Sequence, residues 1–370
     1  MARRNHLTRD RRLIATAAVV CLLSLGALAA RATVVQPPLP EVVTRQVDLG
    51  PDRALTLTFA GDTMVGDGAQ PLVDAQGYDA VFARAHGMLD GDVVIINAEG
   101  PITTANVPAR PGATFSYASN PKAAAAMSAA GVDVLGLGNN HSMDMGPIGL
   151  QDTRRTAAAA GLTTFGAGTD VDEALRPLLV TSADQKVAVV AFGEDFGPTA
   201  RSTADRPGMV SFSADRITRA LSLAHRAGAT KVIAMVHWGD NYAAVNQSQK
   251  VWGRALAEAG YDLVIGTGPH ITQPVETVLG TPVFYSLGNF VFGAPGRFDT
   301  FGQEGIGIVA DVTWAQGGRG GGSVTLRCLE TDNEVVAYVP RPCDPPHQAS
   351  ARQLLGAEVT WNGTVGTLAF

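Results

Sequence analysis

Five apolar runs in this chain stop at residues able to hold a metal ion: Asp62, Glu99, Asn140 beside His141, His237 and His270. Carboxylate oxygens, an amide oxygen and imidazole nitrogens make a mixed donor set that suits Mn, Fe or Zn better than Ca. Two divalent ions about 4 Å apart can clamp both the attacking and the leaving oxygen of a phosphoryl transfer. The chain has only 7 histidines, yet three of them close apolar runs in this manner. His6, His86, His225 and His347 do not, and read as surface or cytoplasmic residues. A lone histidine at a strand end is more often structural; the repetition is what points to a metal centre, of one or two ions.

For these side chains to meet, the runs must be neighbouring strands whose carboxyl ends share one edge, the usual place for sites in open α/β sheets. The run 132–137 ends in Gly-Asn-Asn-His-Ser-Met-Asp, where Gly136 and Gly138 let the backbone turn. Taken alone, that turn could equally be closed by Asx hydrogen bonds. Strands are expected at 54–60, 93–96, 178–181, 187–192, 232–236, 263–265 and 283–285, with helices near 81–89, 121–130, 148–160, 215–227 and 247–259. The stretch 193–213 has no periodicity and carries charges and prolines, as a lid or binding rim does. After about residue 300 three runs, 306–312, 324–329 and 335–339, read as successive strands without helices between them. Alternating strands and helices followed by strands imply an α/β layered sandwich with parallel and antiparallel pairs.

Composition bounds the rest. With 46% hydrophobic and 17% charged residues, the chain has ample core for a large domain. The net charge of −6 is unevenly placed, because Arg3, Arg4, Arg9, Arg11 and Arg12 crowd the first twelve residues. No basic stripe interleaved with aromatics occurs, which argues against nucleic acid as a partner. Segment 13–30 is uncharged and follows those arginines, so it reads as a transmembrane anchor or a signal peptide, with 1–12 a basic cytoplasmic tail. Either reading puts the bulk of the chain outside the cytoplasm, membrane-held in one case and secreted in the other. Cys21 reads as an ordinary apolar position in that segment. Pro37, Pro38 and Pro40 make 31–53 a stiff linker. The folded domain is expected over 54–345, with 346–370 a tail or edge. Cys328 and Cys343 could close a disulfide or remain as two buried thiols.

The segments Gly61-Asp62, Asn97-Ala98-Glu99, Gly138-Asn139-Asn140-His141-Ser142-Met143-Asp144, Val236-His237-Trp238-Gly239, Pro269-His270-Ile271-Thr272-Gln273-Pro274-Val275-Glu276 and Tyr285-Ser286-Leu287-Gly288-Asn289-Phe290 resemble the bacterial CapA family. That family is associated with poly-γ-glutamate capsule synthesis and belongs to the calcineurin-like metallophosphoesterases. The resemblance implies a four-layer α-β-β-α sandwich of two mixed sheets. It implies that Asp62, Glu99 and His270 hold one divalent metal, and that Glu99, Asn140 and His237 hold a second. His141 matches the histidine that protonates the leaving oxygen. It also implies a membrane-anchored, extracytoplasmic role in making or exporting a capsule-type polymer, with poly-γ-glutamate synthase subunits or an anionic envelope polymer as partners. The alternatives are a non-catalytic assembly subunit of a membrane synthase and a secreted cell-envelope phosphodiesterase. The sequence departs from the superfamily pattern at Met64 and Gly268, where histidines are expected, and at Glu99, where the bridge is usually aspartate. Asp144 could orient His141 or cap a turn. Asn289, Glu276, Trp238 and Asp240 carry similar paired readings.

Overall fold

The apolar runs that end in candidate ligands are the inner strands of two sheets packed face to face. The computed structural model describes residues 42–50, 53–85, 87–315 and 320–370. The tail 1–12, segment 13–30, the prolines of the linker, Cys21, His6 and His86 lie outside the described residues. Among those residues, no helix is long and apolar enough to cross a membrane.

One sheet has seven strands in the order Val43–Gln46, Leu178–Thr181, Lys186–Gly193, Lys231–His237, Leu263–Thr267, Thr281–Phe284 and Val275–Val278. The other is larger, and its centre is Thr56–Met64. That strand runs parallel to Val93–Ala98 on one side, and Val134–Gly136 and Thr163–Phe165 continue the sheet beyond it. On its other side it pairs antiparallel with Ile306–Trp314 and, further along, parallel with Asn289–Phe292. Gly322–Glu330, Val365–Ala369 and Thr360–Asn362 complete that half.

Side chains alternate across the pleat and fill three layers of core. Leu57, Phe59, Val93, Ile95, Ile233 and Met235 point between the sheets. Their neighbours Ala60, Val94 and Ile96 face helices on the outside of the larger sheet. Val232, Ala234 and Val236 face helices on the outside of the smaller one. Strands covered on both faces carry continuous apolar runs for this reason, and each fully buried Leu or Phe is worth about 2 kcal/mol. The four-layer α-β-β-α arrangement expected from the sequence is the arrangement observed.

The covering helices begin and end where the local chemistry directs. Ser213 accepts from the Arg216 N–H to start Ala214–Arg226. A reciprocal pair between Asn246 and Gln249 starts Gln247–Ala259, and Gly260 stops it in the left-handed region at φ 101°. A short helix, Val171–Ala174, is tied to Gly146–Ala159 through Glu173. Its carboxylate accepts from the Thr169 N–H and hydroxyl, each at 2.7 Å, and pairs with Arg154. Burial works against that carboxylate, but these bonds outweigh it and hold it down at about 2. Glu173→Gln is therefore expected to lower the melting temperature at neutral pH. A depressed carboxylate stabilises above its ordinary value and loses that contribution as pH falls, so the wild-type advantage should vanish between about pH 4.5 and 2 in melts across that range.

Three sequence readings need revision. The linker 31–53 is not all spacer, because Val43–Gln46 forms an edge strand paired in parallel with Leu178–Thr181. The run 335–339 is no strand. Asp332 accepts from the Glu334 N–H to start the helix Asn333–Val336, and Ala337 and Tyr338 then take positive φ. The helix expected over 81–89 lies earlier, at Tyr78–Phe82. Of the two readings of 346–370, tail or edge, the structure shows the edge: in helix Pro345–Leu355, Ala351 and Leu355 enter the core between the sheets, and Val365–Ala369 pairs with Gly322–Glu330. Cys328 and Cys343 form a disulfide with Cα atoms 5.4 Å apart, tying that edge to the sheet.

Candidate metal centre

The strand ends do converge. Asp62 sits near the end of Thr56–Met64, where the register against Val93–Ala98 slips between Ala60 and Asp62. Gly61 permits that bulge, since a Cβ there would lie 1.8 Å from the Gly288 carbonyl oxygen. Glu99 follows Val93–Ala98, and its N–H is bonded to the Thr63 carbonyl at 2.9 Å. His237 is the last residue of Lys231–His237. His270 lies in the turn after Leu263–Thr267 at φ 62°, a left-handed conformation that a non-glycine residue adopts only when its surroundings enforce it.

Three imidazoles face one carboxylate. The Nε2 atoms of His141, His237 and His270 each lie 3.8 Å from Glu99 Oε1. In every case the other ring nitrogen is engaged from behind. His141 Nδ1 is 2.6 Å from Asp144 Oδ2, and His270 Nδ1 is 3.0 Å from Asn289 Oδ1. His237 Nδ1 is 3.1 Å from Thr267 Oγ1, whose own hydrogen goes to the Val236 carbonyl. Behind His141 and His270 these oxygens are acceptors for the Nδ1–H and leave Nε2 facing Glu99, whereas His237 Nδ1 also lies 3.1 Å from the Asn97 amide nitrogen. Asp62, Glu99 and His270 each offer a donor atom within 4.8 Å of one another, all buried.

Electrostatics agree with that geometry. Burial, then the nearby charges of Asp62 and Asp144, push the Glu99 carboxyl well above the usual range. Burial opposes ionisation of Asp62 as well, but the hydrogen bond and charge of His270, with His237 and Asn97 behind, hold it below its ordinary value. Burial drives His237 down to about 3, so this imidazole stays neutral and able to ligate. Glu99 Oε2 and Asn140 Oδ1 are buried oxygens without a hydrogen-bond partner among the described residues. The orphaned Glu99 oxygen beside the converging imidazole nitrogens fits a divalent cation.

All the expected ligands but one are thus seen around Glu99. Asn140 lies in the turn between Asn139 and His141 with its oxygen free. Asn139 is a brace, donating to Asn97 Oδ1 and the Ala98 carbonyl and accepting from the His141 N–H, so the Asx turn and the site share one loop. Asn97 escaped the sequence reading: its amide donates to Asp62 Oδ1 at 2.7 Å. The one available signal was an amide ending the apolar run 93–96. Asp144 orients His141 and also accepts from the Tyr117 N–H. Asn289 orients His270. Trp238 packs under the sheet and donates to the Tyr285 carbonyl, Glu276 accepts from the Tyr285 hydroxyl, and Asp240 accepts from the Asn246 amide. Of the irregular stretch 193–213, Phe196 stands edge-on to His237 at 5.8 Å.

The two missing histidines have local reasons. Met64 is buried against Tyr117 and Phe292 as an apolar wall. Gly268 has φ 113°, donates its N–H to Asp62 Oδ2, and would place a Cβ 2.5 Å from the Trp238 carbonyl oxygen. Gly268→Ala is therefore expected to cost about 3 kcal/mol in urea unfolding, from strain and overpacking together. Gly260→Ala, at a similar φ with open space around it, should cost about 1 kcal/mol.

Comparison with known proteins adds family context. Residues 56–294 match the family model described as bacterial capsule synthesis protein PGA_cap. The chain is 29% identical over 252 residues to the PGA biosynthesis protein CapA of Bacillus subtilis, covering 67% of this chain and 66% of that one. It is 30% identical over 245 residues to the capsule biosynthesis protein CapA of Bacillus anthracis, covering 64% and 60%. A probable polyglutamine synthesis accessory protein of Mycobacterium tuberculosis is 28% identical over 298 residues, covering 68% and 78%. The match thus spans less than two thirds of each Bacillus protein. Among solved structures, a putative 5'-nucleotidase from Staphylococcus aureus aligns with TM-score 0.42 at 16% identity, covering 81% of this chain and 58% of that one. The calcineurin-like phosphoesterase YfkN from Bacillus subtilis aligns with TM-score 0.38 at 13% identity, covering 79% and 89%.

Proposed function

This chain belongs to the bacterial capsule synthesis protein family PGA_cap, and from that premise we propose that it serves the synthesis or export of a poly-γ-glutamate or similar capsule polymer through a metal-dependent phosphoesterase-like site. The observation that carries the reading is the set of three Nε2 atoms around Glu99 Oε1, with Asp62 beside it. Asp62, Glu99 and His270 would hold one divalent ion, and Glu99, Asn140 and His237 a second. Such an ion supplies Lewis-acid polarisation of a phosphoryl oxygen and activation of water.

The remaining work falls to the chain itself. Asp144 takes the Nδ1–H of His141 and fixes the ring, so that Nε2 faces the reacting groups, where a proton taken up on that nitrogen would pass to a leaving oxygen. Tyr117 packs on that ring at 4.3 Å between centroids and, with Met64 and Phe292, excludes water from one side. We assign segment 13–30 as the membrane anchor, with the domain outside the cytoplasm and synthase subunits as partners. The Cys328–Cys343 bond suits an oxidising space.

A second reading, a polymer-handling subunit without turnover, is favoured by Met64 packing as an apolar wall and by Gly268 leaving no room for a side chain, at the two positions where histidines are expected. Elemental analysis of the purified chain after Mn or Zn loading tests the first reading, which fails if no ion is retained. Turnover of a phosphodiester by the loaded protein, abolished in His141→Ala, would remove the second.

A further inference from the structure

Two lines of aromatic rings lead outward from the histidines. From His141 the rings pass to Tyr117 and then to Phe115, 6.2 Å further on. From His270 they pass to Tyr242 at 5.5 Å and then to Phe301, stacked at 4.8 Å. Both lines end on the short helix Arg297–Phe301. Its Phe298 and Phe301 meet Tyr242, and its Arg297 lies over the Phe115 ring with the guanidinium carbon 4.3 Å from the centroid.

Arg297 differs from the other arginines near this end of the sheets. Arg110 pairs with Asp144, Arg201 with Asp195 and Arg341 with Glu330. Arg297 is half-buried, and among the described residues no hydrogen bond or ion pair engages it. Stacking on a ring holds the planar guanidinium flat and leaves its fork of N–H groups directed outward. In a chain of net charge −6, attraction of an anion has to come from such local cations.

We propose that Arg297, carried on Phe115, is an oxyanion-recognition point that grips a carboxylate of a γ-linked glutamate polymer beside the metal centre. The inference rests on the polymer reading given above and adds the residue that selects for charge. A carboxylate and a phosphate present the same pair of oxygens to a guanidinium, so a ligand phosphate is the other source of the same chemistry. Tyr117 and Tyr242 line the path between the arginine and the histidines. A phenol hydroxyl donates a hydrogen bond, so both can serve the same anion.

The test uses the full chain loaded with Mn²⁺, as wild type, Arg297→Gln, Arg297→Lys and Arg254→Gln. The last removes an exposed charge paired with Glu258 and controls for net charge. Calorimetric titration with a γ-linked glutamate oligomer and, separately, with inorganic phosphate is run at low and high ionic strength, with metal content and melting temperature measured on each sample. Arg297→Gln should retain its metal and bind the oligomer about tenfold more weakly, with a flatter salt dependence. Arg297→Lys should fall between, because it keeps charge but loses the planar fork. Arg254→Gln should match wild type. Unchanged oligomer binding in folded Arg297→Gln and Arg297→Lys overturns the inference, as does a wild type that binds no oligomer. Phosphate binding weakened in place of oligomer binding overturns the carboxylate assignment. A wild type that holds no metal defeats the phosphoesterase reading only, because the oligomer titrations still decide the role of Arg297.

Discussion

Replacing Glu99 by glutamine is expected to abolish tight uptake of Mn or Zn while leaving the metal-free chain at least as stable as wild type. Glu99 is fully enclosed, one of its oxygens has no partner, and two other carboxylates lie close enough to oppose its charge. Without a cation that arrangement costs stability, and a neutral amide of the same shape relieves it. With a cation the same carboxylate is the common neighbour of three imidazoles, so its loss removes the largest share of the attraction. Affinity should fall more than about a hundredfold, beyond what removal of an orienting partner costs. Equilibrium dialysis followed by elemental analysis measures the first effect and urea unfolding of the metal-free forms measures the second. Undiminished uptake by Glu99→Gln would show that the ion, if any, binds elsewhere.

His141→Ala should separate chemistry from metal retention. Its Nε2 faces Glu99, but its Nδ1 is taken by Asp144 rather than by Asp62, and it stands outside the compact trio of Asp62, Glu99 and His270. Loss of a positioned proton donor lowers turnover by about 10²–10⁴-fold, so phosphodiester turnover should drop by about a thousandfold while metal content is unchanged. Asp144→Asn should give a smaller loss, confined to kcat, because the ring remains in place with a weaker partner. Equal loss of metal in His141→Ala would move that histidine from proton donor to ligand.

The ligands were legible in the sequence because strand ends advertise themselves: an apolar run stops, and Gly61, Gly100 or Gly138 marks the turn beside the reactive residue. The same cue gave the parallel core strands and most of the helices. What could not be read was anything fixed by contact across the sheets. Asn289 looked like a turn residue because nothing local says which imidazole it will meet, whereas Asp144, close to His141 in sequence, had already offered itself as that ring's partner. Asn97 looked like the polar end of a strand, yet it holds Asp62 and joins it to the loop of His141 through Asn139. The run 335–339 misled for the opposite reason, since its valines favour a strand while the side chain of Asp332 caps a helix that has already begun at Asn333. Val43–Gln46 was hidden behind the prolines that precede it.

The placement of Thr56–Met64 at the middle of its sheet also governs how this protein must be made. Its neighbour on one side arrives within the next few dozen residues, but Thr58 is bonded to Asp311, 253 positions later. At roughly 10 residues per second on the ribosome, that is about half a minute. For that interval the nascent strand carries an open hydrogen-bonding edge and an unsatisfied Asp62, a template for wrong pairing. Truncations ending before Asn289–Phe292 should therefore be captured by chaperones or precipitate, whereas the completed polypeptide has both edges of its first long strand sealed.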